Sequence, residues 1–239
     1  MWNEFESKSF RFKDRDAVIV YPKCNPNGRI LLKTEYLDAF PAFDIAMLER
    51  GYHLIHLVQR NRWAPKAEID IVADFVRYCA KELDVSERCV IEGMSCGGLQ
   101  AAIFAENYPE LTGVLYLDAP VLNILSMAGY SGATTVISTF WREIEDAYGV
   151  TPATMVNFRQ SPIDNMKPLI ENDIPIIMVY GNADIVVPYA ENGRVLENYY
   201  KDNGATIRII GKSMCGHHPH GLDNPQIIID FVEDNYVKK

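Results

Sequence analysis

Val90-Ile91-Glu92-Gly93-Met94-Ser95-Cys96-Gly97-Gly98-Leu99-Gln100-Ala101-Ala102 is the stretch on which the fold turns. Arg88–Glu92 reads as the end of a buried strand, and Leu99–Asn107, rich in Leu, Gln, Ala, Ile and Phe, reads as a helix. Between them Gly93, Ser95 and Gly97 give the G-x-S-x-G spacing of a nucleophile elbow, in which a serine sits in strained backbone. Glycines two residues either side admit neighbouring backbone where a Cβ would collide. The helix that follows aims its positive dipole end, and the Cys96 amide, at negative charge developing beside Ser95. The spacing alone is weak; the strand before it and the helix after it are what the motif requires. A rival reading uses the same residues. Gly93-x-Ser95-x-x-Gly98 approximates a dinucleotide loop, with Asp118 about 20 residues further on, where a ribose-binding acid belongs. Against it, Ser95 replaces the glycine that admits a pyrophosphate, and the unit lies at the fifth strand instead of opening the sheet.

The 239 residues fit one α/β domain, 1–239, with no Ser/Gly/Pro-rich linker dividing them. A formal net charge of -9 argues against nucleic acid and against an anionic membrane, both of which need a basic face. The five cysteines form no C-x-x-C pair and leave one over, which suits a reducing compartment. The first residues, Met-Trp-Asn-Glu-Phe-Glu-Ser-Lys, have neither the basic start nor the apolar core of a signal peptide, so the expected location is cytoplasmic.

Ser9–Lys13 and Ala17–Tyr21 read as a hairpin, and Arg29–Lys33 as a third strand whose following loop, Thr34-Glu35-Tyr36, is positioned to supply an oxyanion donor. His53–Val58 is a fourth strand with two structural histidines, followed by a loop whose Arg60, Arg62 and Trp63 are candidates for a pocket mouth. Lys66–Glu82 reads as a helix, and Gly113–Leu117 is a short strand running into Asp118. The roughly 45 residues after that strand are too long for a simple connection, and residues 119–165 are expected to form a small cap with a helix near Thr139–Tyr148. Ile174–Tyr180 and Thr206–Ile210 are the last strands, separated by a helix over Tyr189–Asn203, and Pro225–Tyr236 closes the chain as a helix. The expected architecture is α/β: a mostly parallel sheet of about eight strands with flanking helices and a short cap.

Candidate groups fall in an informative order, with Ser95 at the elbow, Asp184 after a later strand and histidines after the last one. A histidine near neutral pKa can take the serine proton and return it, and a buried carboxylate fixes its tautomer. The dinucleotide reading explains neither of the last two groups. Five blocks then carry a resemblance: Glu92-Gly93-x-Ser95-x-Gly97-Gly98-Leu99, Asp118-Ala119-Pro120-Val121, Ser161-Pro162-Ile163-Asp164-Asn165, Gly181-x-x-Asp184-x-x-Val187-Pro188 and Gly216-His217-His218-Pro219-His220-Gly221-Leu222. Over nearly its full length the chain resembles the α/β-hydrolase superfamily, and more narrowly a bacterial branch of uncharacterised esterase-like serine hydrolases. The resemblance implies Ser95 as nucleophile, Asp184 as acid and a histidine of the Gly-His-His-Pro-His block as base. It implies no particular substrate. Two departures stand out: Cys96 follows the nucleophile and introduces an oxidation-sensitive thiol, and Lys33-Thr34-Glu35-Tyr36 stands where a His-Gly pair usually supplies the second oxyanion donor. The Cys96 amide is the first donor, and the Glu35 amide, with Tyr36 as the alternative, the second.

Among the histidines His217 is preferred as base, because Gly216 before it gives the backbone freedom to return over Ser95. His218 stays open as the alternative, although Pro219 biases it towards extended backbone with its ring turned away. His220 reads as a loop anchor or substrate contact. Asp118 remains the rival acid, with anchorage of the cap as its other role. The three histidines lack an acidic or cysteine partner at ligand spacing apart from Cys215, so no metal and no cofactor is expected. Tyr130, Phe140, Trp141 and Tyr148 read as cap packing before substrate wall. The function expected is hydrolysis of a small-molecule ester through an acyl-enzyme. An acyl-aminoacyl or small-peptide hydrolase is the alternative, and a non-catalytic binding protein is disfavoured by the presence of all three groups.

Overall fold

Each apolar run that precedes a turn becomes a strand of one sheet in the computed structural model, which describes residues 1–130 and 138–236. The chain runs β1 (Ser7–Phe12), β2 (Arg15–Val20), β3 (Ile30–Lys33), α1 (Ala42–Leu48), β4 (His53–Leu57), α2 (Lys66–Leu83), β5 (Cys89–Met94), α3 (Cys96–Asn107) and β6 (Thr112–Asp118). It continues through α4 (Ile124–Met127), α5 (Ser138–Tyr148), α6 (Pro152–Met155), α7 (Lys167–Glu171), β7 (Ile176–Gly181), α8 (Gly193–Asp202), β8 (Ile207–Lys212) and α9 (Gln226–Asn235). The eight strands lie in the order β1-β2-β4-β3-β5-β6-β7-β8. Only the β1–β2 and β2–β4 pairs are antiparallel; from β4 to β8 all neighbours are parallel. The expected fold class is therefore the observed one. No helix among the described residues is long and apolar enough to cross a membrane.

Helices cover both faces, so β5 and β6 are buried along their whole length, as parallel central strands require. Alternate side chains feed two cores: Ile91 and Leu115 pack towards α2 and α3, whereas Val90 and Val114 pack towards α1 and α9. Two expectations need correction. The helix expected over Tyr189–Asn203 is interrupted at Asn192, whose backbone leaves helical geometry (φ -121°, ψ -93°). Its buried side chain instead accepts the amides of Leu122 and Asn123 at 2.8 and 2.9 Å and donates to the Pro188 carbonyl at 3.0 Å. Trp63, expected at a pocket mouth, is fully buried and donates its indole N–H to Glu143 at 2.8 Å.

Residues 131–137 of the expected cap lie outside the described residues. In the rest of that segment, Ser161 closes the excursion: its Oγ accepts from the Ile124 amide at 3.0 Å, and its own amide donates to Asp164 Oδ2 at 3.1 Å. Ser161 thereby ties the start of α4 to the end of this segment, and Met127 of α4 and Phe140 of α5 line a cavity together with Ser95.

The face towards α1 carries a buried polar layer that the sequence reading missed. Lys33 lies in register with Glu92, and Glu92 with Tyr116, so period-2 alternation points all three the same way. Lys33 is fully buried, donates to the Ala39 carbonyl at 2.9 Å, makes an ion pair with Asp44 of α1, and lies 3.8 Å from Glu92. One cation facing two buried carboxyls leaves room for one proton. Burial, then the Asp44 charge, pushes the Glu92 carboxyl well above its usual range. Glu92 is therefore the carboxyl of the two that holds the proton, and the trio is neutral.

A protonated folded-state Glu92 binds a proton that the unfolded chain releases above about pH 4.5, so this group's contribution to stability falls as pH rises from there. Glu92→Gln keeps the position neutral and removes that dependence. Denaturant melts from about pH 5 to about pH 8 should show the variant gaining on the wild type as pH increases. Lys33→Met, which strands the Asp44 charge, should cost about 3–5 kcal/mol at neutral pH.

Candidate active site

Ser95 ends β5 and opens α3 at φ 52°, ψ -119°, in the region that disfavours side-chain-bearing residues. The turn is held from β6: the Ser95 amide donates to the Asp118 carbonyl at 3.0 Å, and its own carbonyl accepts from Val121 and Gly98, both at 3.0 Å. The close approach needs glycine at position 93, where an added Cβ would sit 2.4 Å from the Gly97 carbonyl oxygen. As the first residue of α3, Cys96 has an amide that precedes any intrahelical acceptor.

Three sequence-derived candidates meet. His217 Nε2 lies 3.0 Å from Ser95 Oγ, and His217 Nδ1 donates to Asp184 Oδ2 at 2.7 Å. The other oxygen of Asp184 accepts from the amides of Val186 and Val187 at 2.8 and 2.9 Å. Burial raises the Asp184 pKa, but His217 and these two amides outweigh it and hold the carboxyl below its usual range. An ionised acceptor behind Nδ1 leaves the Nε2 lone pair facing the serine hydroxyl.

Asp118 is elsewhere engaged. Its Oδ1 accepts from His220 Nδ1 and its Oδ2 from the Gly221 amide, each at 2.7 Å. It anchors the histidine loop, not the cap, because β6 ends directly beneath that loop. His220 is accordingly the buried loop anchor. His218 departs from expectation: its ring does not turn away but meets the rings of His217 and His220 edge-on, each at 4.8 Å between centroids. The role assigned to Gly216 also fails. Its φ is not positive and a Cβ there meets nothing, whereas one on Gly181 would lie 2.1 Å from the Gly216 carbonyl oxygen. The glycine that lets the base loop close on the acid loop is Gly181.

Ser95 and His217 border a cavity of about 320 Å³ whose walls include Tyr36, Phe40, Met127, Phe140 and Val186. Of the expected aromatics only Phe140 lines it. Tyr148 donates to the Trp63 carbonyl at 2.6 Å, and Trp141 packs against Tyr130. Arg62 reaches the rim with its Nε and Nη2 donating to Glu143 at 2.8 and 2.9 Å, while Arg60 lines a neighbouring polar cleft. Tyr36 borders the cavity and Glu35 does not; the Glu35 carboxyl accepts from Gln100 at 2.8 Å. The Cys96 thiol is buried and pushed up to about 11, so it stays protonated and is not the oxidation-sensitive group expected from sequence.

Residues 58–235 match the sequence profile of the prolyl oligopeptidase family. No curated protein sequence matches the chain. Among solved structures, the acylaminoacyl peptidase of Pyrococcus horikoshii superposes with a TM-score of 0.73 at 16% identity, over 97% of this chain and 42% of that one. A puromycin-hydrolyzing peptidase of Mycobacterium tuberculosis gives 0.73 at 13% identity, over 97% and 39%. A Staphylococcus aureus protein assigned as an esterase gives 0.68 at 15%, over 96% and 82%. The chain thus spans less than half the length of these two peptidases, and at such identities the likeness is one of fold.

The two glycines separate by a simple measurement. Gly216→Ala should melt within a few degrees of the wild type, whereas Gly181→Ala, forced against the Gly216 carbonyl, should lose about 2 kcal/mol or more. Equal melting temperatures for the two variants would contradict this packing.

Proposed function

The chain belongs to the prolyl oligopeptidase family of α/β-hydrolases, and on that footing we propose that it is a serine hydrolase cleaving a small-molecule carboxylic ester through an acyl-enzyme. The observation that carries the reading is the continuous relay from Ser95 through His217 to Asp184. Ser95 Oγ attacks the ester carbonyl while His217 Nε2 takes its proton, and Asp184 stabilises the imidazolium that results. The Cys96 amide, with that of Glu35 or Tyr36, binds the oxyanion; Tyr36 is the one of the pair that borders the cavity. His217 then protonates the leaving alcohol, activates a water against the acyl-enzyme, and returns the proton to Ser95.

The cavity walls favour a short aliphatic or aromatic acyl group, and the Arg62 charge beside them is neutralised by Glu143. We take residues 119–165 as a cap over this cavity within a single domain 1–239, and the setting as cytoplasmic. The free state of Cys24, Cys79, Cys89, Cys96 and Cys215 supports a reducing compartment. Neither nucleic acid nor a membrane surface enters the reading, in keeping with a net charge of -9.

Family membership favours a second reading on the same machinery, hydrolysis of an acyl-aminoacyl or small-peptide bond. Aryl esters set against acyl-aminoacyl anilides of matched acyl group separate the two by kcat/KM. In either case a fluorophosphonate probe should label the wild type and not Ser95→Ala. His217→Gln should lose single-turnover acylation by several orders of magnitude, and Asp184→Asn should lower kcat by roughly 10⁴-fold. Retained labelling in Ser95→Ala, or a comparable loss confined to His218→Gln, would overturn the assignment.

A further inference from the structure

His217, His218 and His220 each offer one ring nitrogen, and these nitrogens lie within 4.8 Å of one another. No acidic residue stands at ligand spacing from them along the chain, but the tertiary structure supplies two from other elements. Asp184 of the loop after β7 backs the Nδ1 of His217, and Asp118 at the end of β6 backs the Nδ1 of His220, each at 2.7 Å. Both carboxylates are almost fully buried. A carboxylate behind an imidazole fixes the tautomer and leaves Nε2 with its lone pair outward, which is how histidine is prepared to bind a transition metal. The third ring, His218, is exposed and gives an ion access from solvent.

We propose that His217, His218 and His220 form a regulatory site for a divalent transition-metal ion of the zinc type, and that occupancy silences the hydrolase. The silencing half rests on His217 being the base for Ser95; the binding half does not. Donors around a tetrahedral zinc at about 2.0–2.1 Å lie roughly 3.3 Å from one another. A spread of up to 4.8 Å therefore closes with ring movements of roughly 1.5 Å, for which the exposed His218, whose ring makes no hydrogen bond among the described residues, has the most freedom. Ser95 Oγ already stands 3.0 Å from His217 Nε2, close to a ligand-to-ligand spacing. The fourth position is then filled by water or by Ser95 Oγ, whose proton passes to solvent. Either way the metal holds the lone pair that would accept the serine proton. Imidazole donors select zinc, copper or nickel over magnesium and calcium.

Full-length protein freed of metal with a chelator is titrated with zinc chloride while hydrolysis of an aryl ester is followed, and separately with cobalt chloride while visible absorption is recorded. Zinc should inhibit in the micromolar range with reversal by EDTA, cobalt should give the d–d band of a tetrahedral site, and magnesium should do neither. His218→Gln, a change at an exposed position, should raise both midpoints at least tenfold, each rate being compared with that variant's own metal-free rate. No cobalt band, no zinc inhibition of an active enzyme, or midpoints unchanged in His218→Gln would overturn the proposal; the last result would place the ion elsewhere, for example on the exposed Cys24 thiol. If no ester is hydrolysed, the cobalt titration still decides the metal site, and the failure counts against the Ser95 reading alone.

Discussion

The site depends on a backbone constraint at Ser95. A non-glycine residue at φ 52°, ψ -119° costs about 1–3 kcal/mol, and the turn persists because neighbouring chain over-determines it. Much of that restraint comes from one residue of β6. The Asp118 carbonyl holds the Ser95 amide, and the Asp118 carboxylate holds His220 and the Gly221 amide in the loop that carries His217. Nucleophile and base arrive from positions 122 residues apart, yet both are referred to the same strand end. The acid is set independently, by two amides of its own turn.

Beneath this junction lies a row of buried polar side chains: Lys33, Asp44, Glu92, Tyr116, Asp118 and His220. Burial of so many ionisable groups is unfavourable unless each is paired, and one shared proton between Asp44 and Glu92 makes that possible. Tyr116 adds a hydrogen bond to Asp118 at 3.3 Å and so links the row to the histidine loop. Layers of this kind contribute less to net stability than apolar packing of equal volume. They do penalise register slips of β3, β5 or β6 heavily, because a one-residue shift would strand every charge on the opposite face.

The cavity wall is held by a smaller device. Glu143 of α5 accepts two hydrogen bonds from Arg62 and one from the Trp63 indole N–H, and Tyr148 of the same helix donates to the Trp63 carbonyl. The Arg62–Glu143 pair is about one-third exposed and worth little alone, but the convergence on Glu143 fixes α5 over the sheet. Phe140 then closes one side of the cavity.

What could be read in the residues was whatever depends on local pattern. Apolar runs between turn residues located the strands, and G-x-S-x-G between a strand and a helix located Ser95, because an elbow is built within about ten residues of chain. The order of Ser95, Asp184 and the histidine block along the chain indicated their alignment at strand ends. Local pattern was silent on contacts between distant segments. Gly216 looked important because it precedes His217, but the close approach falls on Gly181, 35 positions earlier and across a loop contact. Asp118 looked like an alternative acid and became an anchor because the histidine loop folds back over β6. Lys33 and Glu92 each close an apolar run in the sequence, and only the register between β3 and β5 buries them side by side. Sequence specified the elements and the chemistry they carry. Tertiary structure alone decided which charges share a proton, which ring faces which, and which glycine cannot bear a side chain, since each is a distance between residues far apart in the chain.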